Sequence, residues 1–183
     1  MSDFRDRLRA LPVFPDDLTV FDLAALPVDP LDLVRDWLAD AIASGERAPH
    51  AAAFVTVDDH GRPATRSLTV KDVDDRGVHV ASRRSSRKGR QLAANPSSSV
   101  FFYWRELARQ LELVGTATPL SAEESLADWR ARPTYAGTDD PDWQVWAVRP
   151  DRVEFLQATH DRNHRRALYV RTPDGWEVTT SGD

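Results

Sequence analysis

Of the 24 basic residues in this 183-residue chain, only two are lysine, Lys71 and Lys88; the rest are arginine. A compact ammonium on a flexible stem does different work from a planar guanidinium fork, so two lysines in so arginine-rich a sequence are either chance survivors or markers of a site. Each lies in a short basic cluster, Arg66-Ser-Leu-Thr-Val-Lys71 and Ser85-Ser-Arg-Lys-Gly-Arg90. Strand alternation sends Arg66, Leu68 and Val70 to one face and Ser67, Thr69 and Lys71 to the other. A cation at each limit of the run suits a ligand with anionic and polar parts. Ser86-Arg87-Lys88 falls where a helix begins, and there free amides, the helix dipole, a hydroxyl and two cations converge as a phosphate requires. The competing reading of either cluster is a solvated basic patch.

A third cluster, His160-Asp-Arg-Asn-His-Arg-Arg166, spaces Arg162, His164 and Arg166 at period two. In an extended segment all three face one way, which calls for an anion or, on an exposed edge strand, guards against aggregation. Metal binding by His160 and His164 finds little support, because no thiolate or carboxylate pair completes a ligand set. Gln110 opens an apolar strand and either meets a polar ring or merely begins the strand.

The elements that must position these groups follow from pattern. Residues 1–30, with four prolines, read as an arm, extended or with a short helix, that docks through its apolar residues; residues 31–183 read as one domain. Asp29-Pro30 opens a helix to about Ala43, ended by Ser44-Gly45. Strands are expected over Ala51–Val57, Arg62–Val70, Val78–Ser82, Val100–Trp104, Gln110–Thr118, Val153–Leu156, Ala167–Val170 and Trp176–Thr179. Turns fall at Asp58–Gly61, Asp75–Gly77 and Asp174-Gly175, with a possible bulge at Gly115. Ser85 or Ser86 caps a helix to about Ala94, and Ser121-Ala-Glu-Glu124 is a capping box opening another to about Arg130. Short strands at hairpin spacing with a few helices predict a mainly β (α+β) fold, a small antiparallel barrel.

Composition limits the function. A net charge of −5 argues against nucleic acid or an anionic membrane as partner, and the absence of cysteine removes disulfides, zinc thiolate sites and thiol catalysis. No signal-peptide order and no membrane-length apolar run occur, so a cytoplasmic location is expected.

In this order the segments Arg66–Lys71, Ala81-Ser82, Ser86–Lys88, Phe102-Tyr-Trp-Arg-Glu-Leu-Ala-Arg-Gln110, Ala131-Arg-Pro133 and Arg162-Asn-His-Arg-Arg166 resemble the pyridoxamine 5′-phosphate oxidase family, the flavin mononucleotide (FMN)-binding split barrels. The resemblance implies a split antiparallel β-barrel with flanking helices, paired as a homodimer with FMN at the subunit interface. It implies that Arg66, Ser67, Leu68, Thr69, Val70 and Lys71 line the flavin. Ser82, Ser86, Arg87 and Lys88 would hold its phosphate beside a backbone contact from Ala81, and Gln110 and Arg166 would reach the ring. Lys71 and Arg132 match the family's grip on a substrate phosphate. Arg162 and His164 match its catalytic pair over the substrate ring. The implied reaction is hydride transfer from a small-molecule substrate to FMN, with reoxidation by dioxygen.

The sequence also departs from the family. Asp128 and Ala136 stand where the substrate-phosphate pocket has a tyrosine and a serine. The segment before the last strands is cut to roughly residues 138–150, Leu156 replaces a flavin-contacting tryptophan, and the closing Arg-Leu-x-Pro is absent. Alternatives are therefore an FMN oxidase of a reduced aromatic ring, as in phenazine biosynthesis, a flavin- or deazaflavin-dependent reductase, a non-catalytic flavin-binding dimer, and a plain barrel.

Overall fold

The computed structural model describes residues 3–182. Its centre is a nine-stranded sheet in which every pairing is antiparallel: β1 (Ala51–Val57), β2 (Pro63–Thr69), β3 (Asp72–Asp74), β4 (Gly77–Arg83), β5 (Ser97–Trp104), β6 (Arg109–Pro119), β7 (Trp143–Gln157), β8 (Arg165–Thr172) and β9 (Gly175–Ser181). The helices are α1 (Phe4–Arg9), α2 (Pro30–Ala43), α3 (Arg87–Ala94) and α4 (Ala122–Arg130). The path runs β2-β1-β5-β6-β7-β4-β3, and the sheet branches at β7. The first part of β7 pairs with β4, its last part pairs with β8, and β6 runs beside nearly all of it.

Expectation and structure agree on most elements. Asp29 caps α2 by accepting from the Leu31 amide, Ser86 caps α3 by accepting from the Gly89 amide, and Ser121 with Glu124 closes the capping box on α4. The Asp58–Gly61 turn uses Gly61 at φ 75°, open to glycine without strain. Two expectations need correcting. β7 begins at Trp143 rather than Val153, so the run from Trp143 to Arg152 is sheet, not connecting segment. The strand expected over residues 62–70 spans Pro63–Thr69, and a further short acidic strand, β3, follows it where the pattern signals none. Gly115 does mark an irregularity: the β6–β7 register shifts between Val114 and Gly115, where Gly115 faces Pro150. A Cβ there would sit 2.0 Å from the Arg149 carbonyl oxygen, so only glycine permits the approach.

The core is aromatic. Trp37 of α2 meets Phe21, Trp104 and Phe155 edge-on at centroid distances of 5.0, 6.4 and 5.1 Å. Burying each such side chain stabilises the fold by roughly 1.5–3 kcal/mol, less for the parts already shielded in the unfolded chain. The arm docks, as its apolar content suggested, and does so through backbone groups as well. Phe21 is buried and its carbonyl accepts from Arg165, while the Pro27 carbonyl accepts from the Tyr169 hydroxyl. Arg109, buried under the Trp37 ring, reaches Asp40 of α2, Thr19 of the arm and Gln157 of β7. No helix among the described residues is long and apolar enough to cross a membrane.

Candidate functional site

Three cations gather where β2 meets the start of α3. β2 presents Arg66 half-buried toward the barrel interior, as alternation requires, with Leu68 and Val70 on the same side and Ser67, Thr69 and Lys71 exposed on the other. α3 supplies Arg87 and Lys88 in its first turn. Burial, then the nearby Arg66 and Arg87, pull the Lys88 ammonium below the usual lysine value; burial and Arg87 likewise lower Arg66. Burial is the larger cause for both groups, and the neighbouring cations add to it. Among the described residues no carboxylate pairs with Arg66, Arg87 or Lys88, whereas Arg76, Arg83, Arg109 and Arg130 each meet one.

Hydroxyls complete the cradle. Ser82 at the end of β4 and Ser86 at the helix cap have their oxygens 3.0 Å apart, and Ala81 pairs with Val145 beside them. Gly89 lets α3 press against the preceding loop, since a Cβ there would lie 2.4 Å from the Arg84 carbonyl oxygen and 2.5 Å from that of Arg83. Cations without a carboxylate partner among the described residues, two hydroxyls and a helix start adjoin here, a chemistry suited to a phosphate-sized anion.

The remaining expected residues lie elsewhere in the chain. Arg66 shares a cross-strand row with Phe54, Val100, Leu113, Val153 and Tyr169, all facing the core. Gln110 belongs to the row Tyr103, Gln110, Leu156, Arg166, one residue out of phase with that set and therefore on the outer face. Gln110 and Leu156 line a shallow hollow of about 150 Å³ there with Phe101, Glu112 and Glu154. Arg166 leans toward Glu154 at 3.7 Å. One ligand cannot touch Arg66 and Arg166 of the same chain, because the sheet stands between them.

Arg162 and His164 do not lie on a strand. Residues 158–164 form a turn, Arg162 adopts φ 67°, and β8 starts only at Arg165, so the period-two face through Arg166 does not form. The turn is nonetheless ordered by contacts. His164 Nδ1 accepts from the Thr159 amide at 3.1 Å. Phe14 of the arm meets the His164 ring edge-on at 5.7 Å, and the Arg162 guanidinium lies 5.2 Å from the Phe14 ring centre. Phe14 is thus a neighbour of the expected catalytic pair that nothing in local sequence announced.

Asp128 and Arg132 form a separate group. Asp128 accepts a hydrogen bond from the Trp143 indole at 2.8 Å, and the Arg132 guanidinium sits 4.5 Å from the Trp129 ring and 4.6 Å from the Trp143 ring. Lys71 lines a different hollow, about 440 Å³, with Arg35, Leu38, Ile42 and His50.

Comparison with known proteins shows the family and the fold. Residues 38–157 match the family described as pyridoxamine 5′-phosphate oxidase, and residues 143–180 match its region described as pyridoxine 5′-phosphate oxidase C-terminal dimerisation region. The chain is 34% identical over 184 residues to the pyridoxine/pyridoxamine 5′-phosphate oxidase of Anaeromyxobacter dehalogenans, covering 82% of this chain and 93% of that one. It is 36% identical over 188 residues to the protein of the same name from Bacteroides thetaiotaomicron, covering 84% and 88%. Among solved structures, PhzG from Burkholderia lata in complex with tetrahydrophenazine-1-carboxylic acid superimposes with a TM-score of 0.85 at 28% identity, covering 91% of this chain and 99% of that one. A pyridoxamine 5′-phosphate oxidase-related, FMN-binding protein from Nostoc punctiforme shares the fold with a TM-score of 0.71 at 18% identity, covering 85% and 97%.

Proposed function

Because the chain belongs to the pyridoxamine 5′-phosphate oxidase family, we propose that it is an FMN-dependent oxidase whose site is completed only when two copies pair. The observation that carries this reading is the gathering of Arg66, Arg87 and Lys88 about the first turns of α3, with no carboxylate paired to any of them among the described residues. A phosphate ester suits these cations, and Ser82 and Ser86 add hydroxyl contacts, with Ala81 offering its backbone. Leu68 and Val70 lie on the same side as Arg66, and Ser67, Thr69 and Lys71 on the other, so a cofactor lined by all of them runs along the free edge of β2, which ends the sheet's path. Gln110 and Arg166, on the opposite face, serve the ring of a cofactor held by the partner subunit, so each pocket draws on both chains. The match of residues 143–180 to a dimerisation region supports this pairing.

FMN, when bound, supplies the hydride acceptor for a carbon beside an amine or alcohol and is restored by dioxygen. The chain's own groups orient and shield. The Thr159 amide donates to His164 Nδ1, so the neutral ring carries its proton on Nε2, the nitrogen left for a substrate. Arg162, held against Phe14 in the turn, offers a fixed cation beside it, and the aromatic contact excludes water from one side. The first reading of the substrate is pyridoxine or pyridoxamine 5′-phosphate, for which the family resemblance makes Lys71 and Arg132 the phosphate grip, although within one chain the two belong to separate groups.

One observation favours a second reading. Arg132 is flanked by two indoles and Asp128 adds a negative charge beside them. A carboxylate opposes a phosphate dianion there, which suits a reduced ring without a phosphate. Peroxide release from pyridoxine 5′-phosphate and from dihydroaromatic acids, measured side by side on the FMN-loaded protein, decides between them. A colourless protein that ignores added FMN refutes both.

A further inference from the structure

We propose that Thr56 and Gln91, two buried neutral residues beneath the cationic trio, position Arg66 and leave its charge available to the anion. The inference rests on the reading that this cradle takes the FMN phosphate. Thr56 is fully buried on β1 and Gln91 is 8% exposed on α3. The Thr56 hydroxyl donates to Gln91 Oε1 at 2.7 Å. Arg66 Nη1 donates to Thr56 Oγ1 at 2.7 Å and to the Phe54 carbonyl at 3.1 Å, while Nη2 donates to Gln91 Oε1 at 3.1 Å. Among the described residues, every acceptor around this guanidinium is therefore neutral.

The choice of acceptor matters. A carboxylate would hold Arg66 more strongly but cancel the charge that an incoming phosphate needs. A hydroxyl, an amide oxygen and a backbone carbonyl fix the fork and leave the full positive charge in place. The same bonds join β1 to α3, so they set the distance between the Arg66 fork and the helix start that carries Ser86, Arg87 and Lys88. Nothing in the local sequence marks Thr56 or Gln91, because each gains its role from partners at least ten residues away.

The test compares FMN with riboflavin, which lacks the phosphate, by quenching of flavin fluorescence on the intact protein. Gln91→Glu should preserve the fold, since the new carboxylate meets Arg66 directly, and the apo melting temperature should hold or rise. FMN affinity should fall about 10- to 100-fold while riboflavin affinity stays within about threefold, the size expected for losing a charge-assisted bond. Thr56→Val should lower FMN affinity in the same selective way, and Thr56→Ser, which keeps the hydroxyl, should restore it. Equal losses for the two flavins would reduce both residues to packing and overturn the proposal, as would unchanged FMN affinity in Gln91→Glu. A wild-type protein with no preference for FMN over riboflavin would instead defeat the reading of the cradle itself.

Discussion

Replacing Gly89 by alanine tests the cradle without touching a charge. The added methyl would sit 2.4 Å from the Arg84 carbonyl oxygen and 2.5 Å from that of Arg83. Ordinary contact for a Cβ begins near 3.4 Å, so α3 must retreat by about 1 Å or the Arg83-Arg84 backbone must yield. Both obstacles are backbone and cannot rotate away. Overpacking of this kind costs roughly 1–3 kcal/mol, against about 1 kcal/mol gained from alanine's better helix propensity. The net loss is about 0–2 kcal/mol, which for a chain of this size lowers Tm by up to roughly 8 °C. The effect on binding is larger in proportion. A shift of about 1 Å pulls the helix-start amides, Arg87 and Lys88 out of register with Arg66, and losing one charge-assisted bond weakens FMN about 10- to 100-fold. Fluorescence titration with FMN and riboflavin, beside a thermal melt, reads both quantities. FMN affinity within twofold of wild type, in a variant whose Tm has dropped, would mean that the start of α3 does not hold the phosphate.

Three further outcomes are expected. Because burial and neighbouring cations lower Lys88 in the free protein and a bound phosphate restores it, FMN affinity should fall as pH rises through the depressed lysine value; Lys88→Arg should flatten that dependence in titrations between pH 7 and 10. Arg66→Met and Arg166→Met should each abolish oxidase activity alone, yet mixing and re-pairing the two variants should restore up to about a quarter of wild-type activity, since one of two pockets in a mixed dimer, itself half of a random re-pairing, is intact. Activity of mixtures no higher than the sum of the single variants contradicts a pocket shared between chains. Arg109→Met removes the link among α2, the arm and β7 and should cost about 2–3 kcal/mol, with earlier proteolysis of the arm before Phe21 as the second sign.

Local chemistry made much of this fold legible. Ser86 as cap, the Ser121–Glu124 box and the glycine turns each depend on residues a few positions apart, and each stands where the sequence indicates. The first part of β7 was not legible, because Pro150 interrupts an apolar run that would otherwise read as strand. Its missing amide is tolerated only because Gly115 and the register shift lie opposite, a fact held in another strand. The cradle was readable as a composition of cations and hydroxyls, yet its separation from Gln110 and Arg166 by the thickness of a sheet was not. That separation follows from cross-strand register, which no single segment encodes. A shared face for Arg162, His164 and Arg166 required an extended segment, and the positive φ at Arg162 shows that the backbone turns there instead.

The branching of the sheet at β7 governs how the molecule comes apart. Its fifteen residues are stitched on one side along β6 and on the other to β4 and then β8. Peeling away either neighbour leaves the ribbon anchored by the rest, so its central amides should be among the slowest in the protein to trade hydrogen for deuterium. Cutting the chain within residues 143–157 should yield two pieces unable to reassociate, whereas a nick at the Asp58–Gly61 turn should leave a molecule that still works.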